Sequence, residues 1–209
     1  MADITFERPE QMSPLARFVS QYWRTAAAAV VAALVAVAAY AWYTASAQQS
    51  KVKAENDLGA IIATKTGPER LAALEAYLKG APASTKGAAL LELARTAQEQ
   101  SAFDKAADAW NQLSMTGPDG IRELAVMGRA SAVALSGDKA QAVKILSDFL
   151  PKAPKGFQPV VARQLAGVAE EAQAWNEALA AYERMKDSGA GGNKAFYEAK
   201  IDEIKAKMK

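Results

Sequence analysis

The sequence predicts an all-α chain: one membrane-spanning helix, then an α-solenoid of about four helical hairpins, closed by a C-terminal capping helix. Three observations predict it. Residues 26–43 form an unbroken apolar and aromatic run. The residues beyond 46 carry helical periodicity and turn clusters without strand alternation. Small residues also return there every 36 positions. The expected divisions are a tail over 1–24, the span over 25–45, the hairpin domain over 46–193 and the cap over 194–209.

At 1.5 Å per residue, the stretch from Ala26 to Tyr43 extends about 27 Å, close to a ~30 Å hydrocarbon core. Tyr22 and Trp23 precede it, and Tyr40, Trp42 and Tyr43 stand at its far end. Aromatic rings would then lie at both headgroup levels, with the lipid bilayer as the partner of 25–45. A cleaved secretory leader and a buried core helix are the competing readings. Ala45, Ser46 and Ala47 supply an A-x-A pattern for cleavage. The apolar run, however, is longer than a leader needs, and the polar region ahead of it is unusually long. Arg8, Arg17 and Arg24 before the span slightly outweigh Lys51 and Lys53 after it. The positive-inside rule therefore favours a cytoplasmic N-terminus. Ala28, Ala32 and Ala36 form a smooth row for a second span, although an alanine-rich helix is smooth on every side.

Turn clusters at 66–68, 79–85, 116–120, 151–159 and 188–193 divide the remainder. The hairpin arms are expected at 50–64 with 68–79, 86–99 with 103–115, 119–136 with 138–150, and 158–173 with 175–187. Pro68 has the position of a first-turn proline. The repeat is read in columns 36 residues apart. Ala94, Ala130 and Ala166 lie twelve residues before Ala106, Ala142 and Ala178. Trp110, Leu146 and Tyr182 follow four later, then Leu113, Phe149 and Met185. Pro118, Pro154 and Ala190 close the copies, and Leu58, Arg70, Leu74, Tyr77 and Pro82 form a degenerate first one. Paired small residues let two helix backbones approach until a bulky side chain fills the remaining gap. A single hairpin cannot bury its apolar face, whereas stacked hairpins can. The last helix, from Lys194 to Met208, carries Tyr197, Ile201, Ile204 and Met208 on one side and Lys200, Lys205 and Lys207 elsewhere, as a cap should.

Composition excludes many chemistries. The chain has no cysteine and no histidine, which removes thiol nucleophiles, disulfides, thiolate zinc sites and imidazole bases. The adjacent acids Glu170 and Glu171 point about 100° apart on a helix and cannot flank one bond, and Asp202 and Glu203 fail likewise. GAGGN at 189–193 follows no strand and carries no phosphate-loop lysine. Neither an enzyme nor a bound cofactor or metal is expected. The formal charge of +2, spread evenly along the chain, gives no basic stripe and so no nucleic-acid footprint.

The columns resemble the tetratricopeptide repeat, whose period is 34. With the preceding span, the order of parts is similar to the bacterial family of ancillary Sec-translocon subunits, which share their repeat domain with the cell division coordinator family. RFVSQYWR before the span, AWYTASAQQS after it and ALLELARTAQEQSAFDKAADAW across the second repeat carry the likeness. The resemblance implies a single-pass inner-membrane protein with a cytoplasmic N-terminus and a periplasmic domain. Its implied partners are the Sec translocon, periplasmic chaperones and unfolded or extended polypeptide. It further implies a partner groove along the first helices, at Leu91, Arg95 and Gln98, at Leu124, Met127 and Ser131, and at Val160, Arg163 and Glu170. The lysine–asparagine clamp by which some such modules hold a C-terminal carboxylate is missing. The plainer reading of these positions is structural: Leu91, Leu124 and Met127 as core, and Arg163 paired with Glu170 or Glu171. A secreted periplasmic scaffold for envelope assembly or division is the alternative function.

Overall fold

The computed structural model describes residues 14–188 and 194–209, with side chains described at Thr25 and from 27 onward. The tail before 14, the aromatics Tyr22 and Trp23, and the 189–193 segment with Ala190 lie outside that description. Among the described residues the regular structure is entirely helical, with no strand. The helices are α1 (Pro14–Thr64), α2 (Gly67–Leu78), α3 (Ala83–Glu99), α4 (Phe103–Thr116), α5 (Ile121–Leu135), α6 (Lys139–Phe149), α7 (Gln158–Glu171), α8 (Trp175–Ser188) and α9 (Lys194–Lys207). Beyond residue 60, their ends fall within three residues of the expected ones.

The chain divides into two compact units, one reaching to Val52 and the other running from Lys53 to Lys209. In the first, α1 is long and apolar enough to cross a membrane, and its apolar side chains are uncovered. Val30, Leu34, Val37, Tyr40 and Trp42 are all well exposed. Ala45, Ser46 and Ala47 lie inside this helix.

In the second unit, helices pack chiefly on their neighbours in the chain, from α2 on α3 through to α8 on α9, with α5 also touching α7. The repeat columns explain the pairing. Ala94, Ala130, Ala166, Ala106, Ala142 and Ala178 are all buried. The bulky Trp110, Leu146 and Tyr182 are buried beside them, with Leu113 and Met185. Phe149 is only half-buried. In the degenerate first copy, Leu58 and Leu74 are buried, while Arg70 donates to the carbonyls of Lys65 (2.7 Å) and Ile62 (3.0 Å) and so ties α2 to the end of α1.

The turns are built locally. Thr66 takes an extended conformation ahead of α2, and Pro68 sits in its first turn as expected. Gly117 after α4 is extended (φ −71, ψ 157), as the residue before Pro118 should be. Its N–H reaches the Leu113 carbonyl at 2.8 Å, and a Cβ on it would stand 2.7 Å from that same oxygen. Asp138 caps α6 by accepting from the N–H of Gln141 at 2.9 Å.

One feature of the repeat is absent from the columns read in the sequence. Ser101, Gly137 and Gln173 all have positive φ (56, 107 and 57), and they stand 36 residues apart. Each ends the first helix of a hairpin with the same two bonds. The N–H of Ser101, Gly137 and Gln173 reaches the carbonyl of Gln98, Ala134 and Glu170, three residues back. The next N–H, of Ala102, Asp138 and Ala174, reaches Ala97, Val133 and Ala169, five back. This is the Schellman motif.

Two buried clusters make up the core. One gathers residues from Leu58 to Ala132, with Leu74, Leu90 and Leu113 among the fully covered side chains; the other runs from Ala130 to Ile204 around Leu146 and Val161. They meet at α5, where Ala130 belongs to the C-terminal cluster and Ala125 and Ala132 to the N-terminal one. Trp110 packs against Gly128 of α5 so closely that a Cβ there would lie 2.6 Å from its ring.

The last helix departs from expectation. Tyr197, Ile201 and Ile204 of α9 are buried, but Met208 stays 43% exposed beyond its end. Lys200 is not on an outer face: it is half-buried and contacts Glu170 of α7 at 2.9 Å. Lys207 pairs with Glu203 at 2.6 Å and lies 5.1 Å above the Trp175 ring. The charges of α9 thus help to fasten it.

Candidate partner-binding surface

The nine groove positions fall on α3, α5 and α7, three on each. Arg95, Leu124, Val160 and Arg163 are exposed, while Leu91, Gln98, Met127, Ser131 and Glu170 are half-buried. Leu91 packs against the N-terminal cluster and Met127 against the C-terminal one. Leu124, by contrast, is 45% exposed and is not core. It shares a column with Val160, which is 51% exposed, and with exposed Ala88. That column is an uncovered apolar row on the first helices. The link between α5 and α7 is a hydrogen bond from Gln164 Nε2 to the Met127 carbonyl at 2.9 Å.

Three of the nine, Gln98, Glu170 and Arg95, already have side-chain partners within the domain. Gln98 Oε1 accepts from the indole N–H of Trp110 at 3.3 Å. Glu170 accepts from the Tyr182 hydroxyl and from Lys200. Burial opposes ionisation of Glu170, but the hydrogen bonds from Tyr182 and Lys200 and the ammonium charge outweigh it and hold the carboxyl below its ordinary value. Burial, then the hydrogen bond to the Glu170 carboxylate, pushes the Tyr182 hydroxyl up. The same bond to Glu170 raises Lys200. Glu203 is lowered by Lys207 and then by Lys200.

The expected pairing of Arg163 with Glu170 or Glu171 does not occur. Glu170 is taken by Lys200, and Glu171 pairs with Lys139 at 3.0 Å. Arg95 pairs along its own helix with Glu92 (3.3 Å) and Glu99 (3.8 Å). What the first helices leave uncovered is therefore the row of Leu124 and Val160, with Arg163 three residues further along its helix and Arg95 and Ser131 seven residues further along theirs. Such a row has the chemistry to take apolar side chains of an extended polypeptide, with cations beyond it.

Among the described residues no group of three acidic side chains stands close enough to hold a metal ion. A pocket between α5 and α6 escaped the sequence reading. Its signal was present in the repeat: Arg129 occupies a column in which the neighbouring copies hold Leu93 and Leu165. No protein-family model, no curated protein and no solved structure matches the chain.

Proposed function

We propose that this chain is a membrane-anchored scaffold of tetratricopeptide-like hairpins, held by α1 in the bacterial inner membrane with its helical domain in the periplasm. There it binds newly translocated polypeptide beside the Sec translocon and passes it to chaperones. The observation that carries the scaffold reading is the 36-residue register. Buried alanines, bulky fillers and left-handed turns recur together at that spacing, and contacts run mainly between consecutive helices, as in stacked repeats. The uncovered apolar surface of α1 supports the anchor. The translocon as partner rests on the sequence resemblance alone.

Capture from detergent-solubilised membranes tests both parts, using the full chain and a version lacking residues 1–47. Recovery of translocon components with the full chain only is the expected result. Their absence from both captures overturns the translocon assignment. Mass measurement of the mature protein tests the anchor: loss of 1–47 would establish the secreted alternative. Charge reversal at Arg95 and Arg163 should reduce capture of polypeptide. The melting temperature should stay nearly constant for Arg163, which is exposed and enters no ion pair among the described residues, and fall slightly for Arg95, whose pairs with Glu92 and Glu99 are lost.

A further inference from the structure

The pocket between α5 and α6 has a volume of about 310 Å³. Val126, Ile145 and Phe149, all half-buried, form its apolar floor. Its rim carries Arg129, Lys144 and Lys152 together with one acid, Asp148. None of the ion pairs among the described residues uses any of these three cations.

The arrangement is peculiar to this hairpin. Where Arg129 stands, the copies before and after have Leu93 and Leu165, both buried. In the column of Lys144 they have Asp108 and Ala180. An aliphatic side chain that helps to seal its own hairpin elsewhere is here a half-buried guanidinium that enters no ion pair among the described residues. Such a group is stabilised strongly by a carboxylate brought to it, because arginine binds carboxylates in a two-pronged geometry.

The order of charges narrows the ligand. Lys144 lies one helical turn before Asp148 on α6, and Lys152 follows it by four residues, in the turn beyond the end of α6 at Phe149. A small anion centred on the pocket meets Asp148. Two carboxylates set apart, one toward each lysine, avoid it. In an extended peptide, residues i, i+2 and i+4 line one face and span about 13 Å. We propose that the α5–α6 pocket binds an extended acidic peptide segment. Carboxylates at i and i+4 meet Lys152 and Lys144, with Arg129 reinforcing one of them, and an apolar side chain at i+2 enters over Ile145 and Phe149. Arg129 and Val126 lie about 160° round α5 from Leu124, Met127 and Ser131, so this site stands apart from the first-helix row.

The test is a fluorescence anisotropy titration of the full chain in an uncharged detergent with the labelled peptide AEALAEA, and with AQALAQA as control. The acidic peptide should bind about tenfold tighter or more. Arg129→Leu, which restores the residue of the neighbouring copies and should keep the fold, is expected to abolish that advantage. Lys144→Glu with Lys152→Glu should do the same, whereas Lys53→Glu with Lys79→Glu, exposed cations that belong to neither surface, should leave it unchanged. Equal binding of the two peptides, or no binding of the acidic peptide at millimolar concentration, overturns the proposal. So does indifference to Arg129→Leu, or loss only in the Lys53 and Lys79 variant. Displacement by inorganic phosphate as effective as by unlabelled peptide assigns a point-anion site instead, and displacement by phosphatidylglycerol vesicles a lipid one; either overturns the peptide assignment.

Discussion

Tyr182 on α8 donates its hydroxyl to the Glu170 carboxylate on α7, twelve residues back, and Trp110 on α4 donates its indole N–H to Gln98 on α3 at the same interval. The two pairs occupy the same columns of the repeat, two periods apart, while the copy between them has Ala134 and Leu146 there. The polar bond joins the arms of the first and last of these hairpins, and the columns of the middle one carry apolar residues instead. In the last hairpin Lys200 adds a third element to the bond, so that Glu170 holds α7, α8 and α9 together.

Glu170→Gln should destabilise the domain by about 1–2 kcal/mol, since it removes the charge that Tyr182 and Lys200 address. The pH dependence has a defined sign. The folded carboxyl lies below its ordinary 4.5, so its contribution is full above that value and fades as pH falls through the lower folded one. Tyr182 and Lys200 are raised above their ordinary 10.0 and 10.5. Their contributions are full below those values and are lost as pH climbs beyond them. Denaturant melts across pH should show both losses in the parent chain and a weaker acid limb in Glu170→Gln.

Gly128→Ala should cost about 1–3 kcal/mol, because the new methyl group meets the Trp110 ring. Trp110→Leu, which copies Leu146 of the next hairpin, should relieve that clash. The double variant should then be more stable than the sum of the single effects, which a thermal-melt mutant cycle would measure.

Ser101→Gly and Gln173→Gly should each stabilise by about 0.5–1 kcal/mol. The left-handed backbone at these positions costs a side-chain-bearing residue ~1–2 kcal/mol, only partly offset by the greater freedom of glycine when unfolded. Gly137→Ala should do the reverse by about 1 kcal/mol. No atom crowds Gly137, so the loss would come from the backbone alone, and comparative melting of the three variants would confirm it.

Thr96 is fully buried, and its hydroxyl has no hydrogen-bond partner. The same column holds Ala132 and Val168. Thr96→Val should therefore raise stability by about 1 kcal/mol, as a buried unpaired hydroxyl is replaced by a methyl group of similar size. Chemical denaturation is the measurement.

The helices were legible because their signals are local. Alanine columns, turn clusters and Pro68 each act within a few residues, and the ends follow closely. The left-handed turns were less visible: glycine marks only Gly137, while Ser101 and Gln173 reach the same geometry without it. Side-chain partners were harder still. Lys200 reads as a surface charge in its own helix, and only the packing of α9 against α8, with α7 nearby, makes it a clasp for Glu170. Arg129 and Leu93 differ within one column, a difference that acquires meaning once α6 is seen to border the pocket. Gln98 and Glu170 look like ligand-facing groups until Trp110 and Tyr182 are found against them.

The two faces of α5 give this helix the character of a party wall. Ala130 looks into one room, Ala125 and Ala132 into the other, and most contacts stay between adjoining helices. Injury at the α8–α9 end should consequently be felt first near where it strikes. The portion from Leu58 to α5 keeps furnishings of its own.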